Sequence, residues 1–311
     1  MKLSCRHGII GAAVGDALGV PVEFKPRGSF TVTGMQAGQK PAGTWSDDTS
    51  MILATMDAFT NDGAEDACMQ NFCAWLYEGK YTSDGDVFDV GITTSKALEN
   101  YHSGKPFQEC GLTAERDNGN GSLMRILPVV YREYAKYGKD AIGNPEVFAE
   151  IHNYSALTHA HPMSKMCCGM YATMAFALLS GMTPEDAFDE CVMVSSPYYH
   201  ENPEFRPYYQ YFSRIFRRSL PGSAEAGIRS GGFAVDTLEA AIWVLLNGNY
   251  YEDIVLHAVN LGSDTDTTAA VAGGLAGIAF GEEAIPYDWI QELKGRETLD
   301  SLCSGFDAKF F

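Results

Sequence analysis

The stretch LGSDTDTTAAVAGGLAG, residues 261–277, constrains this chain more than any other. Its second half is an Ala/Gly run that reads as a buried helix. Two carboxylates, Asp264 and Asp266, stand in the loop that enters it. A helix start leaves backbone N–H groups unpaired, so acidic and hydroxyl residues suit that position. Near the N-terminus, apolar residues at 9, 10, 13, 14, 17 and 18 follow a helical period. There Gly8, Gly11, Ala12 and Gly15 form a small-residue face that lets another helix approach closely. Further helical patterns occupy 50–59, 66–77, 91–101, 163–179, 184 to about 194, 233–246, 251–261 and 286 to about 299. A helix is also predicted to start at Ser122, with Pro128 kinking or breaking it.

Period-2 alternation is faint and confined to 30–33, and no repeat, low-complexity linker or composition shift divides the chain. The expectation is therefore all-α, a single domain over 1–311 with long loops. Residues 195–232 break the pattern with Tyr, Phe, Pro and Arg, so an irregular aromatic-rich insertion is placed at about 196–230. Its aromatics are expected to pack onto the body rather than form a lid. Arg214, Arg217 and Arg218, at helical spacing, are read as a solvated face.

Composition narrows the function. Of 311 residues, 46% are hydrophobic and 20% charged, as in an ordinary soluble globular protein. A formal charge of −18 argues against a nucleic-acid partner held by a basic surface, though not against a nucleotide-sized ligand. The eight cysteines form no C-x-x-C pair, so buried thiols of a reducing compartment are expected and zinc is not. No charged and hydrophobic leader opens the sequence, and the longest apolar run, 170–179, is too short for a bilayer. The expectation is a cytoplasmic monomer without a membrane partner.

Chemistry concentrates in a few polar segments. Ser46-Asp47-Asp48-Thr49 precedes one predicted helix, and Asp264 and Asp266 precede another more than 200 residues later. Carboxylates and hydroxyls are the hard oxygen donors that Mg²⁺, Mn²⁺ or Ca²⁺ prefer. Taken alone, Asp264 and Asp266 read first as a helix cap and a solvated acid, and Asp47 and Asp48 could also be caps, but adjacent carboxylates repel unless something positive offsets them. Asp16, on an otherwise apolar helix, is read as a buried, hydrogen-bonded structural residue. Glu23 is either a solvated loop residue or a site carboxylate, and Asp89 either an N-cap or a site residue. In Asn118-Gly119-Asn120-Gly121-Ser122 the glycines free the backbone to approach a ligand, although a plain turn is the default. The helix predicted from Ser122 would offer its N-terminus to a pyrophosphate-like anion. His159 and His161 lack the i, i+4 spacing of a helical zinc pair and read first as loop histidines.

Taken together, GAAVGDALGVPVE (11–23), GTWSDDTSM (43–51), DVGITTSKAL (89–98), DNGNGSLMRILPV (117–129), SALTHAHP (155–162), GGFAVDTLEAAIW (231–243) and VNLGSDTDTTAAVAGGLAG (259–277) resemble the ADP-ribosylglycohydrolase family, in order and over nearly the whole chain. The segment at 196–230 departs most. The resemblance implies an all-α orthogonal helical bundle with two Mg²⁺, Mn²⁺ being the alternative. It implies Ser46, Asp47, Asp48, Asp264, Asp266 and Thr267 as metal ligands, and Glu23 as a mobile acid covering the metals. Glu23 or an unliganded oxygen of Asp264 or Asp266 would be the general base, with Asp89 near the leaving group. Asn118, Gly119, Asn120, Gly121, Ser122 and Ser263 would contact substrate, with His159 alongside it. The implied activity is hydrolysis of the bond between ADP-ribose and a modified protein side chain, arginine foremost. The alternatives are hydrolysis of another conjugate such as O-acetyl-ADP-ribose, or non-catalytic ADP-ribose binding.

Overall fold

A computed structural model describes residues 3–311, and their regular structure is helical. The α-helices are α1 (Arg6–Gly19), α2 (Asp47–Thr60), α3 (Glu65–Glu78), α4 (Ile92–His102), α5 (Leu127–Tyr137), α6 (Pro145–Ala156) and α7 (Pro162–Leu179). They continue with α8 (Pro184–Glu201), α9 (Ser213–Phe216), α10 (Ala234–Asn247), α11 (Tyr251–Asn260), α12 (Thr265–Phe280), α13 (Tyr287–Glu292) and α14 (Arg296–Phe310). The architecture is the all-α bundle with long loops that the periodicity implies. Among the described residues, no helix is long and apolar enough to cross a membrane.

The centre is an antiparallel pair, α1 against α12, buried on nearly every face. Small residues make the approach possible. A Cβ added at Gly15 would lie 2.1 Å from the Ala269 carbonyl oxygen, and one at Gly11 2.3 Å from that of Gly273. Any side chain at either position would force the helices apart. The pairing brings the C-terminal end of α1, with Asp16, against the N-terminal end of α12, with Asp266. Thr265 Oγ1 fastens this junction by donating to the Gly19 carbonyl at 2.8 Å. Helices α2, α7, α10 and α11 surround the pair, and α14 covers α2.

Several local expectations are corrected. Residues 121–125 form turns rather than a helix, and α5 starts at Leu127 with Pro128 in its first turn. Proline there lacks only an N–H that would be unpaired anyway, so it opens the helix and neither kinks nor breaks it. Helix α6, absent from the sequence reading, is capped by Asn144 Oδ1, which accepts from the Glu146 N–H at 2.9 Å. Helix α8 runs through Pro197 to Glu201, so irregular chain starts seven residues later than 194 suggested. The C-terminal segment splits into α13 and α14, the latter ending at Phe310 rather than near 299.

The aromatic segment packs inward. Phe205 and Phe212 are buried, and the Phe148 and Tyr198 rings stack at 4.3 Å. Arg214 is only half-exposed, its Nη1 lying 3.1 Å from buried Glu239, while Arg217 and Arg218 are exposed. All eight cysteines are free thiols, and all but half-buried Cys73 are buried.

Candidate metal centre and cleft

The α1–α12 junction meets the start of α2, and the three helix ends bring their carboxylates together. Extended backbone at Ser46 makes it the α2 N-cap, its Oγ accepting from the Asp48 N–H at 3.3 Å. Asp47 and Asp48 thereby fall in the first turn, where the helix dipole favours negative charge. Asp16 ties α1 to this turn. It accepts from the Ser46 N–H at 2.9 Å, the Thr49 N–H at 3.0 Å and Thr49 Oγ1 at 2.6 Å. The reading of Asp16 as a buried, hydrogen-bonded residue therefore holds, with its carboxyl raised to about 6 by burial against those bonds.

Asp16 also belongs to a carboxylate cluster that the sequence did not reveal. Oxygens of Asp16, Asp48 and Asp266 lie within 4.8 Å of one another, and so do oxygens of Glu23, Asp89 and Asp266. Asp48 Oδ2 accepts from Ser46 Oγ at 3.1 Å and Thr267 Oγ1 at 3.3 Å. Asp48 Oδ1 and both oxygens of Asp266 are buried with no hydrogen-bond partner. Such groups are costly to bury unpaired, and the usual remedies are a proton or a cation. Burial, then neighbouring carboxylates, pushes Asp47, Asp48 and Asp266 well above the usual range. Burial and Asp89 push Glu23 to about 9, and burial raises Asp89 itself. Carboxylate and hydroxyl oxygens with three orphaned acceptors fit a hard divalent cation.

Above this cluster opens a cleft of ≈ 380 Å³. Glu23, Asp47, Asp89, Asp264, Thr267, Gly119, Asn120, Gly121 and His159 line it, so most of the sequence candidates converge. Ser46, Asp48 and Asp266 are buried outside that lining. Asp264 stands at the N-cap position of α12 without a side-chain capping bond, and its Oδ2 accepts instead from Asn120 Nδ2 at 2.8 Å.

Three of the substrate-contact candidates also lie outside the lining. Asn118 is buried, accepting from Ser164 Oγ at 2.9 Å and donating to the Glu115 carbonyl at 2.8 Å. Ser122 is buried against Ser155 Oγ at 2.9 Å. With turns at 121–125, no helix N-terminus is presented at Ser122, which corrects that expectation. Ser263 is exposed in left-handed backbone, its N–H and C=O paired with Lys25 and Phe24. His161 is a loop histidine, its Nδ1 accepting from the Met163 N–H at 3.2 Å.

Sequence reasoning passed over Phe24, Ile92, Thr93, Thr94, Arg116, Met124 and Gly232, which also line the cleft. A usable signal existed for Asp16, a lone carboxylate near the end of an apolar helix. Nothing local marked Phe24 or Ile92, both 74% exposed at the mouth. Opposite the acids, His159 is buried and pushed down to about 3, by burial and then by Arg125.

A model of the ADP-ribosylglycohydrolase family matches residues 4–310. The chain is 31% identical to ADP-ribosylarginine hydrolase Tri1 of Serratia proteamaculans, over 96% of this chain and 77% of that protein. It is 28% identical to the ADP-ribosyl-[dinitrogen reductase] glycohydrolase of Rhodospirillum rubrum, over 91% and 88% respectively. Among solved structures, an ADP-ribosylglycohydrolase-related protein complex superposes with a TM-score of 0.79 at 29% identity, covering 99% of this chain and 98% of that one. The chain belongs to the ADP-ribosylglycohydrolase family and is a hydrolase acting on glycosidic bonds.

Proposed function

We propose that this enzyme releases ADP-ribose from ADP-ribosylated arginine on protein substrates, with two Mg²⁺ held by Ser46, Asp47, Asp48, Asp264, Asp266 and Thr267. The observation that carries the metal is the trio of buried, unpartnered oxygens on Asp48 and Asp266. When bound, such ions supply Lewis acidity and lower the pKa of a bound water. The chain's own groups divide the remaining work. Burial and the nearby carboxylates hold a proton on Glu23; once those carboxylates are offset by cations, Glu23 accepts the proton of the attacking water, and Asp89 faces the departing group. Gly119, Asn120 and Gly121 give the ligand close backbone contact, and His159 meets it from the side. Asn118 and Ser122 hold that loop from beneath, and Ser263 acts at the rim.

Arginine is favoured over serine or acetyl linkages because a guanidinium brings positive charge to a cleft crowded with carboxylates. The name of the Serratia relative, an ADP-ribosylarginine hydrolase, supports the same choice. We also infer a single domain, since one hydrophobic cluster extends from Cys5 to Phe306, and we propose that the enzyme acts as a monomer.

Rates of ADP-ribose release from arginine-, serine- and acetyl-linked substrates, with Mg²⁺ and then with EDTA, test the reading. Arginine is expected to be fastest and EDTA to abolish release. Faster acetyl cleavage would overturn the substrate, and EDTA-insensitive turnover the metal.

A further inference from the structure

We propose that Arg125 and Thr158 lock His159 in the neutral tautomer with its proton on Nε2, making the ring a dedicated hydrogen-bond donor to an oxygen of bound ADP-ribose. The second half of this statement rests on the function proposed above. The first does not.

The lock follows from counting hydrogens. Arg125 is fully buried and can only donate. Its Nη2 uses its two hydrogens on the Tyr154 carbonyl at 3.1 Å and Thr158 Oγ1 at 2.9 Å. Thr158 Oγ1 thus already accepts, and its other neighbour is His159 Nδ1 at 2.8 Å. If Nδ1 carried a proton, the threonine would accept twice and its own buried hydrogen would have no acceptor. With Nδ1 bare, both Nη2 hydrogens and the threonine hydrogen are used. A hydroxyl at Nδ1, unlike a carboxylate, gives no charge to stabilise an imidazolium. Arg125 beyond it opposes one directly, and burial acts in the same sense.

Geometry then aims the remaining N–H. A Cβ built on Gly119 would lie 3.4 Å from Nε2, and one on Gly121 2.9 Å from Cε1. The ring's Nε2–Cε1 edge therefore faces the glycine loop that lines the cleft, on the side away from Thr158. Two further backbone bonds fix this segment: the His159 N–H donates to the Ser155 carbonyl at 2.9 Å, and Ser155 Oγ to the His159 carbonyl at 3.1 Å. A neutral donor suits an anionic diphosphate or ribose oxygen and keeps working in mild acid. Arg125 and Thr158 act through His159 and are positioning residues.

Long-range ¹H–¹⁵N correlation of the labelled full chain reads the tautomer directly, with His159 assigned from a His159→Gln sample. The expected spectrum shows an unprotonated Nδ1 and a protonated Nε2, unchanged between about pH 8 and about pH 5. A protonated Nδ1, an averaged ring, or titration near the ordinary histidine value would overturn the lock. Thr158→Val removes the hydroxyl at nearly constant shape, and Thr158→Ser keeps it. Val is expected to average the tautomers and raise KM for the ADP-ribosyl substrate about ten-fold with little change in kcat, and Ser to restore both. Averaged tautomers with KM unchanged would overturn the donor role. A locked ring in a protein that neither cleaves nor binds ADP-ribosyl compounds would uphold the relay and overturn the function it was assigned to serve.

Discussion

Two places in this protein bury charge without an oppositely charged side chain, and they solve the problem differently. In the carboxylate cluster, Asp48 and Asp266 leave three oxygens unpartnered. At Arg125, Nε and Nη1 are likewise unpartnered. Arg125 is one delocalised, weakly hydrated cation, and its surroundings absorb it. Nη2 meets the Tyr154 carbonyl in the last turn of α6, the negative end of that helix dipole, and the Phe72 ring face lies 4.6 Å from the guanidinium carbon. Burial lowers its pKa only to about 10, so it stays charged. The acids have no such option: several like charges share one region, and local dipoles cannot offset them all. A single buried charge can be settled by the fold. A crowd of one sign calls for a mobile counter-ion.

Asp266→Asn tests that contrast with the largest effect. Losing one metal ligand should lower kcat by roughly 10²–10³-fold, the scale for removing one electrostatic element. Asp266 makes no side-chain hydrogen bond, so the same change in EDTA should raise Tm by relieving repulsion. A Tm that falls in EDTA would mean that the cluster is settled internally, as Arg125 is. Next in size is the response to Mg²⁺. At about 100 times Kd a ligand stabilises the folded state by about 2.7 kcal/mol, which thermal denaturation detects easily. That gain should vanish in Asp48→Asn and survive in Arg125→Met. Arg125→Met itself should cost about 1–3 kcal/mol in chemical denaturation, the scale for leaving buried acceptors unmet. A loss of about 3–5 kcal/mol would instead be the signature of a broken ion pair and would erase the distinction.

The acidic half of this comparison was legible in the sequence because it is written in runs. Ser46-Asp47-Asp48 and Asp264-Thr265-Asp266 each stand at a helix start, where polarity breaks an apolar pattern. The long apolar helices α1, α7 and α12 were legible, whereas α6, apolar on one face only and interrupted by polar residues, was not. What escaped depends on contacts between distant residues. Asp16 joins the cluster only because Gly15 and Gly19 let α12 come close, and a Cβ at Gly19 would lie 2.3 Å from the Asp266 Cα. Pro128 was misread because proline marks both the end and the beginning of a helix, and only the turns at 121–125 decide between them. The relay from Arg125 through Thr158 to His159 joins residues 33 apart in sequence at its first step, with no local pattern to announce it.

The smallest effect probes whether the two regions are electrically separate. His159 has a folded pKa of about 3 against an ordinary 6.5. Below about pH 6.5 the unfolded chain takes up a proton on this ring and the folded protein does not. Stability from this group is therefore fully present above that pH and is lost as pH falls, by about 1.4 kcal/mol per unit. The raised carboxylates push the other way, since the folded state holds their protons where the unfolded chain has released them. Absolute curves mix both contributions, so the informative quantity is the difference between wild type and Arg125→Met, in which the acids are common. Burial is the larger cause of the histidine shift and Arg125 the second, so the variant should raise the folded pKa only in part. The two curves should therefore run parallel down to about pH 5, and the variant's should fall less steeply between about pH 5 and about pH 3, with a gap of about 1 kcal/mol by the lower end. Curves that stay parallel down to about pH 3 would mean that the guanidinium is screened from the ring 2.8 Å beyond its threonine partner. A gap that closes when Mg²⁺ is added would mean instead that the cation and Arg125 act on one shared field.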